Sequence, residues 1–235
     1  MLKSGIDQNA IIDMIAQAAT KQGDALRKAV GDATLKALQG RELTLANIRG
    51  VLKTMTQAAA KAAEKSGLPA VDLENMLGQA IAGMDSALLK AVEANRRALQ
   101  QFVDQGVELR ETKLKTALAD LRKMEDTFMT TLSKTAQSMP QPMQAPWNAA
   151  LSALQSKGSD SGTRAASTAE QFMTQAQTAV RQGQALGGRA AQTLIDGYAA
   201  LVSGVLIGMS EGLQQGASAA GTRPAKPAGK TSQPG

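Results

Sequence analysis

The stretch that decides the fold runs from Ala70 to Ser138 and reads AVDLENMLGQAIAGMDSALLKAVEANRRALQQFVDQGVELRETKLKTALADLRKMEDTFMTTLSKTAQS. It contains no proline, and as one helix it would span about 100 Å at about 1.5 Å per residue. Leucines recur every eleven residues, a period typical of a nearly straight amphipathic helix. They are Leu77, Leu88, Leu99, Leu121 and Leu132, with a parallel apolar series at Ile81, Val92, Val103 and Leu114. We predict a long amphipathic helix over 70–138, either continuous or broken near Gly106.

Two further helices are predicted on the N-terminal side of this stretch, over about 7–39 and 45–66. The first carries apolar residues at helical spacing and is followed by Gly40, a residue type that commonly ends helices. The second has Thr44 at its N-cap position and Gly67 after its last turn. Together the three helices predict one amphipathic long-helix region over 1–139.

The chain on the C-terminal side is predicted to divide into three parts. Residues 140–162 form a linker with a short helix, because the Pro/Gln-rich MPQPMQAP and the Gly/Ser-rich KGSDSG flank a brief apolar pattern. Residues 163–216 form an Ala/Gly-rich amphipathic helix, with Ser167 and Glu170 matching a capping box. Residues 217–235 are rich in Ala, Gly, Pro and Lys, which predicts a disordered basic tail.

The composition predicts an all-α fold of elongated amphipathic helices, in a helical bundle or a coiled-coil-like arrangement. No run of alternating β-branched and aromatic residues indicates a strand. Apolar residues make up 43% of the chain, but only five residues are aromatic. Much of the apolar content is alanine, which buries little area per residue, so we expect a thin core.

Several classes of function are disfavoured by residues that the chain lacks. It has no Cys and no His, which removes most zinc sites and the commonest general base. It also has no phosphate-binding glycine loop. We expect a non-enzymatic protein with no catalytic residue, no cofactor and no metal ligand. The N-terminal residues lack the apolar region of a signal peptide, which favours the cytoplasm.

The charge distribution does not favour nucleic acid as a partner. The formal net charge is +6, and part of it lies in the tail at Arg223, Lys226 and Lys230. Three cations without interleaved aromatic side chains supply little affinity for nucleic acid at physiological salt.

The C-terminal helix carries the clearest candidate contact surface. Four glycines recur at a strict spacing of four, and such small residues let another helix approach closely. The stretch from Gly197 to Met209 carries no charge and is too short for a confident membrane span. The candidate helix-packing or surface-binding residues are Gly204, Gly208, Gly212, Gly216, Leu201 and Val205, with Leu88, Leu99, Leu114 and Leu121 of the long segment.

The chain resembles the phasins, helical proteins that coat bacterial polyhydroxyalkanoate granules. The features that carry this resemblance are the Ala/Gln/Met-rich amphipathic helices, the absence of Cys and His, and the PAKPAGK tail at 224–230. The resemblance lies in composition and helix pattern over most of the chain and includes no specific motif. The stretches DATLKAL (32–38) and NIRGVLKTM (47–55) are also similar to an uncharacterised proteobacterial family of helical proteins.

Three hypotheses for function remain open at this point. The resemblance implies a cytoplasmic protein that coats a hydrophobic granule or lipid surface with its apolar helix faces. The long segment and the glycine series instead favour a structural protein that self-associates. The Ala/Gln-rich composition is also typical of exported helical effectors or translocators.

Overall fold

The computed structural model describes residues 8–19, 23–39, 44–104 and 112–181, together with residue 202 and residues 205–207. These residues form helices joined by short connections and include no strand, which confirms the predicted all-α fold. The helices are α1 (Gln8–Ala19), α2 (Gly23–Leu38), α3 (Leu45–Ser66), α4 (Ala70–Asp104), α5 (Thr112–Arg122), α6 (Met124–Gln137), α7 (Gln141–Lys157) and α8 (Asp160–Arg181). Within these ranges, no helix is both long and apolar enough to cross a membrane.

Helix α3 begins and ends where the sequence predicts. The Thr44 side chain accepts a hydrogen bond from the backbone N–H of Asn47 at 3.3 Å and so caps the first turn. Gly67 follows the last turn with φ of 62°, in the left-handed region that glycine adopts readily. Its buried face includes Ile48, Leu52 and Met55, at the spacing of one helix face.

The single helix predicted over 7–39 is wrong. Helices α1 and α2 pack against each other, which one straight helix does not allow, and α1 packs chiefly on α3 while α2 packs chiefly on α4. Helix α1 ends at Ala19 and α2 begins at Gly23, a residue type with weak helix propensity. Folding back lets both apolar faces reach the same core.

The 70–138 segment is not one rod but contains α4, α5 and α6. Helix α8 packs against all three, and α3 packs against both α4 and α6. The predicted break point, Gly106, lies within 105–111, outside the described residues. The physical reason for the fold-back is that a single long helix would leave its apolar stripe in water, whereas folding buries it.

The short helix predicted within 140–162 is present, but the linkers predicted on either side of it are wrong. Helix α7 occupies 141–157, with Pro140 at its N-cap position and Pro142 in its first turn, where backbone N–H groups lack intrahelical partners in any case. Pro146 lies inside the helix but is buried. The single tryptophan, Trp147, is fully buried and fixes α7 in the core.

Helices α2 and α4 cross at a pair of glycines. A Cβ atom added to Gly83 would lie 2.5 Å from the carbonyl oxygen of Arg27 and 3.0 Å from the backbone nitrogen of Gly31. A Cβ atom on Gly31 would in turn lie 3.2 Å from the carbonyl oxygen of Gly83. The two backbones are therefore in direct contact, an approach that only the missing side chains permit.

The C-terminal region is described at few positions. Residues 202 and 205–207 are helical, Val202 and Leu206 are buried in the core, and Ile207 is 37% exposed. The helix that the sequence predicts to begin at residue 163 begins three residues earlier, at Asp160. The predicted tail over 217–235 lies outside the described residues.

Candidate functional site

The residues predicted from sequence as the contact surface fall into two groups. Leu88, Leu99 and Leu121 are buried within the core and are 0%, 0% and 2% exposed. Val205 is partly buried against that core. Leu114 lies on α5, but its side chain is outside the described part. The remaining candidates also lie outside the described residues: Leu201, Gly204, Gly208, Gly212 and Gly216.

A polar cluster that the sequence reasoning missed joins three helices at the start of α8. Asp85 of α4 is buried, at 6% exposure. Its Oδ2 accepts a hydrogen bond from the backbone N–H of Asp160 at 2.9 Å. Its Oδ1 accepts from the backbone N–H of Ser161 at 3.1 Å and from the Ser161 hydroxyl at 2.5 Å. One carboxylate thus satisfies two of the free N–H groups at the helix N-terminus.

Glu125 of α6 completes the same cluster from the other side. Its Oε1 accepts from the backbone N–H of Ser159 at 3.2 Å, and its Oε2 accepts from the Ser159 hydroxyl. The Ser159 hydroxyl oxygen in turn accepts from the backbone N–H of Gly162 at 2.9 Å. The N–H groups of all four residues from Ser159 to Gly162 therefore have partners. We call Asp85, Glu125 and residues 159–162 the carboxylate cap.

The carboxylate cap gives direct evidence that the 70–138 segment folds back. Asp85 and Glu125 are 40 residues apart, a separation of about 60 Å along one straight helix. Both nevertheless bind the same four-residue segment at the start of α8. Two negative charges at this position also interact favourably with the positive end of the α8 dipole.

Gly162 is required for the position of the Glu125 carboxylate. A Cβ atom added to Gly162 would lie 1.3 Å from Glu125 Oε2 and 2.7 Å from the Ser159 hydroxyl oxygen. The carboxylate occupies the volume that any side chain at position 162 would fill.

A second charged contact ties α8 to α4 near Arg164. The Arg164 Nη2 lies 3.1 Å from Glu93 Oε2. Arg96 donates to the same carboxylate at 2.7 Å, and Arg97 approaches it at 3.4 Å. The Arg96 hydrogen bond, with further contributions from Arg164 and Arg97, lowers the pKa of Glu93 from 4.5 to about 2 against the opposing effect of burial. Glu93 in turn raises the pKa of Arg96.

The depressed pKa of Glu93 predicts an acid-sensitive contribution to folding. The contribution is fully present above the unfolded pKa near 4.5 and is lost as pH falls through the folded value of about 2. Near neutral pH, we expect the free energy of unfolding of the wild type to exceed that of Glu93→Gln. This difference in free energy should narrow as the pH falls from about 4.5 to about 2. Urea denaturation at a series of pH values measures it. A gap that stays constant would contradict the assignment, and Glu170→Gln, at an exposed carboxylate of α8, is the control.

Apart from these polar contacts, residues 160–175 of α8 contribute little apolar surface to the core. Of its residues 160–175, the buried ones are Ser161, Gly162, Ala165, Thr168, Ala169 and Phe172. Phe172 is the one large apolar side chain among them. The Thr168 hydroxyl is buried without a hydrogen-bond partner in the part of the chain that the structure describes, which weakens the interface further.

The sequence carried two signals for this cluster. Asp85 directly follows Met84 in an otherwise apolar stripe, and an acidic residue beside a buried face needs a partner. The Gly-Ser-Asp-Ser-Gly stretch is typical both of linkers and of helix N-caps, and the linker interpretation is wrong here. The capping box predicted at Ser167 is wrong as well, because Ser167 lies inside α8 and donates to the carbonyl of Arg164.

No group of three or more acidic side chains is arranged to hold a metal ion within the described ranges. Residues 1–215 match a family described as a family of unknown function (DUF6781). The comparisons found no match among proteins of curated function and none among solved structures.

Proposed function

We propose that this chain, which belongs to the DUF6781 family of unknown function, is a non-catalytic protein that coats or binds a hydrophobic surface through its amphipathic helices. The surface would be a polyester granule or a lipid surface. The observation that supports this proposal best is the weak apolar closure of the core by α8, with Phe172 as the one large buried apolar side chain over residues 160–175.

The composition of the core supports the same proposal. Among the residues that the structure describes, 16 of the 45 buried apolar ones are alanine. Because alanine buries little area, the hydrophobic free energy that holds each helix to its neighbours is small. Long helices with small apolar faces are therefore held together less firmly than helices of a Leu- and Phe-rich bundle.

An apolar surface can replace the neighbouring helix as the partner of such a face. The apolar side chains leave one nonpolar environment for another, so the hydrophobic free energy changes little, while the polar faces stay in water. Leu88, Leu99 and Leu121, which are buried in the closed bundle, would then contact the surface. The main free-energy cost of opening the bundle is then the loss of the polar contacts of α8.

Self-association through the 70–138 segment has weaker support. The apolar stripe of that segment is already covered by the chain's own helices at Leu88, Leu99 and Leu121. Among the described residues, Ile207 is the one exposed large apolar side chain. Light scattering on the purified chain measures this alternative directly, since a monomer at micromolar concentration would contradict it.

Co-sedimentation tests the proposed function. We expect the full chain to sediment with polyester particles and with neutral phospholipid vesicles, and to retain its helical circular dichroism when bound. Hydrophilic silica particles of the same size are the control and should retain little protein. If the chain binds neither the polyester particles nor the vesicles, the proposed function is contradicted.

A further inference from the structure

We propose that the carboxylate cap is a latch that holds α8 closed over α4, α5 and α6, and that its release lets α8 move away as a unit. This inference rests on the proposed function for its purpose, but the latch itself is a property of the free chain. Three features of the described residues carry it: the composition of the α8 interface, the short connection to α7, and the position of the polar contacts.

The described part of the α8 interface, over residues 159–175, is rich in polar contacts. The cap supplies five hydrogen bonds between α8 or its N-cap residue and the carboxylates of Asp85 and Glu125. Arg164 adds one ion pair with Glu93. The apolar contribution of residues 160–175 is largely Phe172 with two alanines. Specific polar contacts, rather than apolar area, therefore decide whether α8 stays in place.

The connection between α7 and α8 provides a place for the movement. Only Gly158 and Ser159 lie between Lys157, the last residue of α7, and Asp160. Gly158 has φ of 74° and is exposed, and a Cβ atom there would meet nothing within 4 Å. Helix α7 is held in the core by Trp147, so rotation at Gly158 would displace α8 while α7 remains fixed.

The latch lies at the N-terminal end of α8, next to this connection. Breaking the bonds of Asp85 and Glu125 would leave the backbone N–H groups of residues 159–161 to water, where they find new partners. The inner faces of α4, α5 and α6 that α8 covers would then become accessible. A hydrophobic surface would capture this open form, because it binds the exposed apolar faces and the closed form offers it few.

Hydrogen exchange of the full-length chain, followed by mass spectrometry, tests the latch without any surface. In Glu125→Gln we expect amides of α8 to exchange about tenfold faster, as for the loss of a charge-assisted hydrogen bond, while amides of α3 change little. In Thr168→Val, which removes the unpaired buried hydroxyl, we expect slower exchange in α8. Glu170→Gln, an exposed carboxylate of the same helix, should leave exchange unchanged.

Two results would overturn the latch. One is unchanged α8 exchange in both Glu125→Gln and Thr168→Val, and the other is acceleration spread equally over all helices. If Glu125→Gln does not fold, Thr168→Val alone tests the latch, through the slower exchange expected in α8.

The same proteins are then mixed with neutral phospholipid vesicles. Local opening of α8 without vesicle binding by any variant would retain the latch and contradict the proposed function.

Discussion

Replacement of Gly162 by alanine is expected to lower the free energy of unfolding by about 1–2 kcal/mol, chiefly because the displaced Glu125 carboxylate loses its charged hydrogen bonds. The new Cβ would lie 1.3 Å from Glu125 Oε2, so the carboxylate must leave. Its departure removes the partner of the Ser159 N–H and hydroxyl. Alanine is otherwise the better helix former by about 1 kcal/mol, so any net loss is due to the contact.

A double-mutant cycle separates this clash from a general effect of the substitution. Chemical denaturation is measured for Gly162→Ala, for Glu125→Ala and for the double variant. Because Glu125→Ala removes the group that the new methyl would strike, Gly162→Ala should cost much less in that background. Equal costs in the two backgrounds would show that the Glu125 carboxylate is not the obstacle.

Replacement of Gly83 by alanine is the second substitution with a large expected effect. We expect a loss of about 1–3 kcal/mol in the free energy of unfolding, the range typical of overpacking a tight core. The Cβ would lie 2.5 Å from the carbonyl oxygen of Arg27 and 3.0 Å from the Val30 Cβ. The carbonyl belongs to the backbone of α2 and cannot rotate away, so the two helices must separate along their contact.

Gly78 provides the matched control on the same helix. A Cβ atom there would meet nothing within 4 Å. Gly78→Ala should therefore stabilise the protein by about 1 kcal/mol through helix propensity alone. Thermal denaturation of the two variants should shift in opposite directions. A loss of stability in Gly78→Ala, or a gain in Gly83→Ala, would contradict the α2–α4 crossing described above.

The features that the sequence predicted correctly are those determined by neighbouring residues. The ends of α3 depend on Thr44 and Gly67, which lie directly next to the helix that they cap. The eleven-residue series predicted correctly that Leu88, Leu99 and Leu121 share an apolar environment, since all three are buried. Local periodicity and capping chemistry were sufficient in these cases.

The features that the sequence did not reveal depend on residues far apart in the chain. Ser161 and Asp85 are separated by 76 residues, and no local pattern connects them. The Gly-Ser-Asp-Ser-Gly stretch has a linker-like composition, and only the carboxylates from α4 and α6 hold it in place. The prolines before Trp147 are similarly misleading in the sequence, because Pro140 and Pro142 lie at the start of α7, where a helix tolerates them, and the burial of Pro146 inside α7 depends on tertiary packing.

Together, the proposed function and the latch require the chain to bind a hydrophobic surface by releasing α8. The most direct measurement is the fraction bound to polyester particles for the wild type, Glu125→Gln and Thr168→Val at one protein concentration. We expect the most binding for Glu125→Gln, which loosens α8, and the least for Thr168→Val, which tightens it. Equal binding by all three proteins, or binding by none of them, would contradict it.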